Sequence, residues 1–136
     1  MRVSKQIYEQ LINHSIDSKL QKQNKYKNKH VEYHGIKFDS KKEGAYYLKL
    51  KTMEELGIIK NLKLQVKFEL QPKFRFGNKI VRDINYVADF EYFSMIDNKI
   101  HVVDVKSKAT KNDKVYKLKI KMLLYKYPNI NFDEII

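Results

Sequence analysis

The sequence predicts an α/β domain with the order helix, three strands, helix, strand, behind an N-terminal extension. Three observations carry that expectation. Two stretches, near 40–56 and 113–127, combine helix caps with helical apolar spacing. Extended segments rich in Val, Ile, Phe and Tyr lie between them, near 62–70, 80–94 and 100–106. The 136 residues suit one domain, and a chain of that size buries enough surface to fold without staples.

Taken in order, residues 4–14 form a short amphipathic helix pattern, with Ile7 and Leu11 on one side and Ser4 as cap. Residues 15–29 are polar and lysine-rich and read as a linker, or as an arm that orders only on nucleic acid. The domain then spans 30–136. V-E-Y-H-G-I-K-F alternates about His34-Gly35 and reads as a hairpin. Asp39 or Ser40 caps the next helix, Glu43 completes a capping box with Ser40, and Ala45, Leu48, Met53 and Leu56 supply apolar positions before Gly57. Asp97-Asn98 turns the chain between the last two central strands. The second helix starts at about Asp113 and stops before Pro128, and N-I-N-F-D-E-I-I reads as a final strand.

Composition narrows the function. Without cysteine there is no disulfide, thiolate metal site or cysteine nucleophile. No apolar run reaches the ~18 residues of a membrane span, and the first residues lack a signal-peptide centre, so a cytoplasmic protein is expected. Lys and Arg total 28 against 16 acidic residues, a net +12, with 17 aromatic residues. The excess is spread along the chain, which points to a polyanionic partner, most simply nucleic acid. Because 25 of the 28 cations are Lys, a lysine-rich genome is the competing explanation. No glycine-rich loop suited to a nucleoside triphosphate is present.

The informative stretch is Y-V-A-D-F-E-Y-F-S-M-I-D-N-K-I-H-V-V-D-V-K. Asp104 and Lys106 share a side of an otherwise apolar strand, where charges are costly unless paired or coordinated. An even-length hairpin loop sets Asp89 opposite Asp104 or Lys106 on the same face. Two clustered carboxylates make a hard oxygen site for Mg²⁺ or Mn²⁺. An Asp89–Lys106 ion pair that merely ties the hairpin explains the same spacing. His101 points away from this site and reads as a structural or surface residue.

These segments carry a resemblance. D-(x)14-D-x-K behind a helix-borne glutamate resembles the PD-(D/E)XK nuclease superfamily. More narrowly, G-I-K-F-D-S-K-K-E, L-x-L-Q-x-x-F-x-L, Y-V-A-D-F-x-Y and V-V-D-V-K, in that order, resemble a family of small phage and prophage endonuclease-like proteins. That family is similar in layout to phage resolvases and transposon-end-cutting endonucleases. Ala88 stands where the superfamily pattern has proline.

The resemblance implies a restriction-endonuclease-like αβββαβ core on a mixed sheet. Asp89, Asp104 and Glu43 become metal ligands with the Val105 carbonyl, and Lys106 the catalytic lysine. Gln65 and Glu91 become auxiliary groups. Glu43 is equally explained as half of a capping box, and Gln65 as a backbone partner. Lys114, Lys117 and Lys121 form one stripe on the second helix beside an apolar stripe of Val115, Leu118, Met122 and Tyr125. With Lys108 and the arm residues Lys25 and Lys27 they are the expected phosphate contacts, although a lysine helix face is also what water alone selects. The expected function is a Mg²⁺- or Mn²⁺-dependent phage-type DNA endonuclease, acting as a homodimer on Holliday junctions or other branched DNA. The alternatives are a non-catalytic DNA-binding protein and a subunit of a larger cutting complex.

Overall fold

The computed structural model describes residues 31–136. The helix expected over 4–14 and the arm over 15–29, with Lys25 and Lys27, lie outside the described residues. The fold is mixed α/β, and the chain divides into two compact units, Met1–Lys60 and Asn61–Ile136. No helix among the described residues is long and apolar enough to cross a membrane.

In the first unit, β1 (Val31–Tyr33) and β2 (Ile36–Phe38) pair antiparallel. Their two-residue turn puts His34 at φ 53° and Gly35 at φ 78°, the left-handed pair that matches the twist of a tight hairpin. Helix α1 (Lys41–Glu55) follows, and the Glu43 N–H donates to Ser40 Oγ at 3.1 Å. It ends where Gly57, at φ 75°, lets the Gly57 and Ile58 N–H groups reach back to the Glu54 and Met53 carbonyls. Its buried residues include Gly44, Tyr47, Leu48 and Leu50, whereas Leu56, expected to be apolar core, is 53% exposed. The helix has already ended there, so Leu56 no longer follows the buried side. Tyr33, Phe38 and Tyr47 cluster, with the Phe38 and Tyr47 rings 4.9 Å apart.

The main sheet has the order β3 (Ile59–Gln71), β6 (Ile84–Ser94), β7 (Lys99–Val105), β8 (Asn131–Ile135). Strands β6 and β7 are antiparallel, while β7 and β8 are parallel, so the sheet is mixed. The parallel pairing needs a crossover, which helix α2 (Lys114–Lys126) provides. Asp113 caps α2 by accepting from the Val115 N–H at 3.3 Å.

The structure corrects three expectations. The extended run over 80–94 is two strands, not one: β5 (Lys79–Val81) pairs with β4 (Phe74–Phe76) in a separate hairpin, and the chain breaks at Arg82-Asp83 before β6. Asp83 takes a hydrogen bond from Asn85, which favours a turn over a ladder. The strand expected over 100–106 ends at Val105, one residue before Lys106. On α2 the buried residues are Tyr116 and Leu123, with Ile120 and Met122 partly buried beside them, while Val115, Leu118 and Tyr125 face solvent. Tyr116, Ile120 and Leu123, at i, i+4 and i+7, form the stripe that packs on the core, and the Tyr116 hydroxyl there donates to Glu134 of β8 at 2.6 Å.

Beneath α2, the core joins Leu70, Tyr86, Ala88, Val102, Tyr116 and Leu123. This grouping reveals an irregularity in β6. The β6–β7 register sets Phe90 opposite Val103 and Glu91 opposite Val102, and opposed residues share a face. Val102 and Asp104 therefore face away from Phe90. Tyr86 and Ala88, four and two residues before Phe90, should share its face, yet they pack with Val102, and the Tyr86 hydroxyl bonds Asp104. The alternation slips by one between Ala88 and Phe90, at Asp89, as a β-bulge does.

Candidate active site

The site grows from that slip. Carried one step past its last regular pair, the register sets Asp89 opposite Asp104, and the slip keeps Asp89 from simply continuing the ladder. Its carboxylate Oδ2 instead accepts the Val105 N–H at 2.8 Å. A side chain thus satisfies a backbone donor on the neighbouring strand. Both aspartate charges act on Tyr86 and on Tyr116, which places Asp89 and Asp104 in one electrostatic neighbourhood.

Asp104 is 1% exposed, and its two oxygens have different environments. Oδ2 accepts the Tyr86 hydroxyl. Oδ1 accepts no hydrogen bond from the described residues, and Lys106 Nζ stands 3.3 Å from it. The lysine is also held from the other side, with its Nζ 4.8 Å from the centre of the Tyr116 ring. Its backbone N–H donates to the Ile135 carbonyl at 2.7 Å, so the chain is pinned to β8 just where β7 ends. The pair is Asp104–Lys106, not the Asp89–Lys106 bridge that the spacing also allowed.

Two tyrosines complete the surroundings. Burial, then the hydrogen bond and charge of Asp104, push the Tyr86 hydroxyl far above its ordinary value. Burial and the hydrogen bond to Glu134 push Tyr116 up as well, with the charges of Asp104, Glu134 and Asp89 adding to the effect. Both rings stay neutral and can only donate to these carboxylates. Glu134 lies in register with Asp104 across the parallel β7–β8 pair, so a third carboxylate stands at the sheet's edge of the site.

Tyr86, Tyr116 and Glu134 are residues that the sequence reading missed. A signal for Tyr86 existed, because a tyrosine on a buried strand must find an acceptor for its hydroxyl. Tyr116 also had a local signal, since Tyr116, Ile120 and Leu123 at i, i+4 and i+7 form a second helical stripe that competes with the one expected. Nothing local marks Glu134, which the crossover brings in.

The other residues expected at the site are spread more widely. Glu91 sits opposite Val102 and pairs loosely with Lys63 of β3 at 3.9 Å. Gln65 lies on β3 with φ 52°, a left-handed backbone inside a strand and a local irregularity beside β6. Glu43 belongs to α1 in the first unit, where its N–H serves the cap. Lys117 and Lys121, with Lys111, Tyr116 and Glu134, line a groove of about 360 Å³. Lys114 is exposed on the same helix. Lys108 is exposed in the loop after β7, where Ser107 and Thr110 bond each other at 2.9 Å. His101 is structural: Asp133 and Asp97 hold its two ring nitrogens at 2.9 and 2.7 Å, and Tyr92 stacks on it at 5.1 Å.

The donor chemistry fits a hard divalent cation at Asp104 Oδ1, a buried carboxylate oxygen without a hydrogen bond, with Asp89 beside it. Among the described residues no group of three or more His, Asp or Glu forms a ready cation cage. Two carboxylates are enough for Mg²⁺, which keeps several of its own waters.

A family model described as "Protein of unknown function (DUF1064)" matches residues 23–136. No curated protein and no solved structure matches the chain.

Proposed function

The chain belongs to the DUF1064 family, and from the site it carries we propose that it is a metal-dependent DNA endonuclease of phage type. One observation supports this most: Asp104 is buried with one oxygen bonded and the other facing Lys106 without a hydrogen bond. Lys106 offsets the charge on that oxygen, but its lone pairs take no hydrogen bond and are open to a divalent cation beside the lysine.

Asp89 and Asp104 would hold Mg²⁺ or Mn²⁺, with the Val105 carbonyl as a further oxygen. When bound, such an ion supplies an acidified water and a counter-charge for a phosphate. The rest falls to the chain. Lys106, steadied between Asp104 and the Tyr116 ring, would orient the attacking water or offset charge building on phosphorus. Tyr86 fixes the rotamer of Asp104, and the Val105 N–H fixes that of Asp89. The groove lined by Lys111, Lys117 and Lys121 would take the flanking phosphates. Glu43 is in the first unit, and this reading rests on second-unit residues alone.

A second reading, a non-catalytic DNA-binding protein or a subunit of a larger cutting complex, is favoured by one observation. Tyr86 and the Val105 N–H already occupy one oxygen of each aspartate, leaving fewer ligands for an ion. The substrate we favour is branched DNA, including four-way junctions, cut by a homodimer with one strand per protomer.

The test is incubation with Mg²⁺ or Mn²⁺ and a panel of linear, flapped, four-way and single-stranded DNAs. Cleavage that EDTA stops and Asp104→Asn removes is the expected result. Binding without cutting across the whole panel would replace the endonuclease with the second reading.

A further inference from the structure

The β4–β5 hairpin belongs to no part of the site described above, and its composition is unlike the rest of the chain. From Pro72 to Arg82 it carries Lys73, Arg75, Lys79 and Arg82 and no acidic residue. It holds two of only three arginines in a chain with 25 lysines. Its apolar residues are turned out to solvent: Phe76 is 74% exposed, Ile80 57% and Phe74 44%. Of residues 72–82 only Val81 is even partly buried. A two-stranded ribbon with no packed face gains little from folding alone, so exposed phenylalanines there need a partner.

The register separates its two faces. Phe74 opposes Val81 and Phe76 opposes Lys79, so one face is largely apolar and ends at Phe76 beside the turn. Arg75 opposes Ile80, and the same register continued one step sets Lys73 against Arg82, so the other face carries three cations around one isoleucine. Gly77, at φ 60°, makes the two-residue turn with Asn78 and keeps the tip narrow.

We propose that this ribbon is a duplex-DNA contact element, with Lys73, Arg75 and Arg82 on phosphates and Phe76 against the bases at its tip. A two-stranded ribbon fits a groove about 12 Å wide. Arginine is the cation best matched to phosphate geometry, and apolar side chains at such tips can wedge between base steps. Charge complementarity decides for DNA over a protein partner: Arg and Phe together suit either, but four cations with no acidic residue over 72–82, in a chain of net +12, match a polyanion. The proposal rests on the DNA reading above and extends it to a second contact, independent of Asp104.

Its test is equilibrium binding of the full chain to a duplex across a salt series, in EDTA so that no cutting intervenes. Arg75→Ala with Arg82→Ala should lower the slope of log K against log salt by about 0.9 for each phosphate that is no longer neutralised. Phe76→Ala should weaken binding by about tenfold with the slope unchanged, and should reduce base unstacking reported by 2-aminopurine at the site. Unaltered thermal melting of each variant shows that the fold is kept. Wild-type binding with the same slope in the arginine double variant would overturn the ribbon alone. A wild-type chain that binds no duplex would overturn the ribbon and the DNA reading together. If Phe76→Ala left DNA binding intact but abolished capture of a protein ligand, the ribbon would be a protein-docking element instead.

Discussion

Lys106 Nζ stands 3.3 Å from Asp104 Oδ1, the oxygen of that buried carboxylate that accepts no hydrogen bond from the described residues. Replacing either partner should separate chemistry from binding. Asp104→Asn and Lys106→Ala should each reduce cleavage at least about a hundredfold, the scale on which removing one group that stabilises transition-state charge acts. Duplex affinity should change little, because the phosphate-binding groups lie elsewhere. Single-turnover cleavage and binding in EDTA measure the two effects. A Lys106→Ala protein that cuts at the wild-type rate would remove the lysine from the mechanism.

Tyr86→Phe deletes the hydroxyl that bonds Asp104 Oδ2. The ring keeps its packing while the buried carboxylate loses its donor. Chemical denaturation should show a loss of about 1–3 kcal/mol, the usual cost of a stranded buried polar group. Saturating Mg²⁺ should recover part of that loss if a cation binds the same carboxylate, because a ligand of the folded state stabilises it. A loss of stability that Mg²⁺ leaves unchanged would count against Asp104 as a ligand.

Alkaline pH should destabilise the fold through Tyr86 and Tyr116. Both hydroxyls are raised well above 10.0, Tyr86 by burial and Asp104, Tyr116 by burial and Glu134. Unfolded tyrosines ionise near 10 and release their protons, while these two keep theirs when folded. Their contribution is therefore fully present below about pH 10 and is lost as pH rises above it, by about 1.4 kcal/mol per pH unit for each. Ultraviolet titration should show both ionising only with unfolding. Removal of that late step by Tyr86→Phe together with Tyr116→Phe would identify them.

In the first unit, Gly44→Ala should destabilise although alanine is the better helix former. A Cβ at Gly44 would lie 2.4 Å from Val31 Cγ2 and 2.7 Å from Tyr33 Cε2. Val31 is short and branched and Tyr33 is buried, so neither yields without moving β1. The propensity gain of about 1 kcal/mol should be outweighed, and the melting temperature should fall. A rise would mean that β1 is free to move off the helix.

Much of the fold was legible because its signals are local. Ser40 and Asp113 cap helices through their own side chains, His34-Gly35 sets a tight turn, and Pro128 stops α2, all from adjacent residues. That Asp104 and Lys106 share a side was legible from strand alternation, and the burial of Asp104 from the valines around it, although the ion pair the spacing suggested was Asp89–Lys106. What stayed hidden depends on distant partners. Which of two apolar stripes on α2 is buried depends on the sheet beneath it: Tyr116, Ile120 and Leu123 pack on the core and Tyr116 bonds Glu134 of β8, while Val115, Leu118 and Tyr125 face solvent. The β4–β5 ribbon has no buried face to imprint a two-residue period, so it merged with β6 in the sequence pattern. The slip at Asp89 carries no Gly or Pro to announce it.

That slip makes β6 sensitive to its length more than to its spelling. Adding one residue between Tyr86 and Asp89, with the slip at Asp89 kept, would turn Tyr86 to the opposite side of the sheet, away from Asp104. Removing one together with the slip would let β6 alternate regularly and leave Tyr86 on the Asp104 side. An insertion that leaves composition almost untouched would thus disconnect the tyrosine from the carboxylate, while a conservative swap at the same place would leave them joined. Related chains that keep this site should therefore vary in residue identity between Tyr86 and Asp89 but either hold the count between them or lose one residue and the slip together.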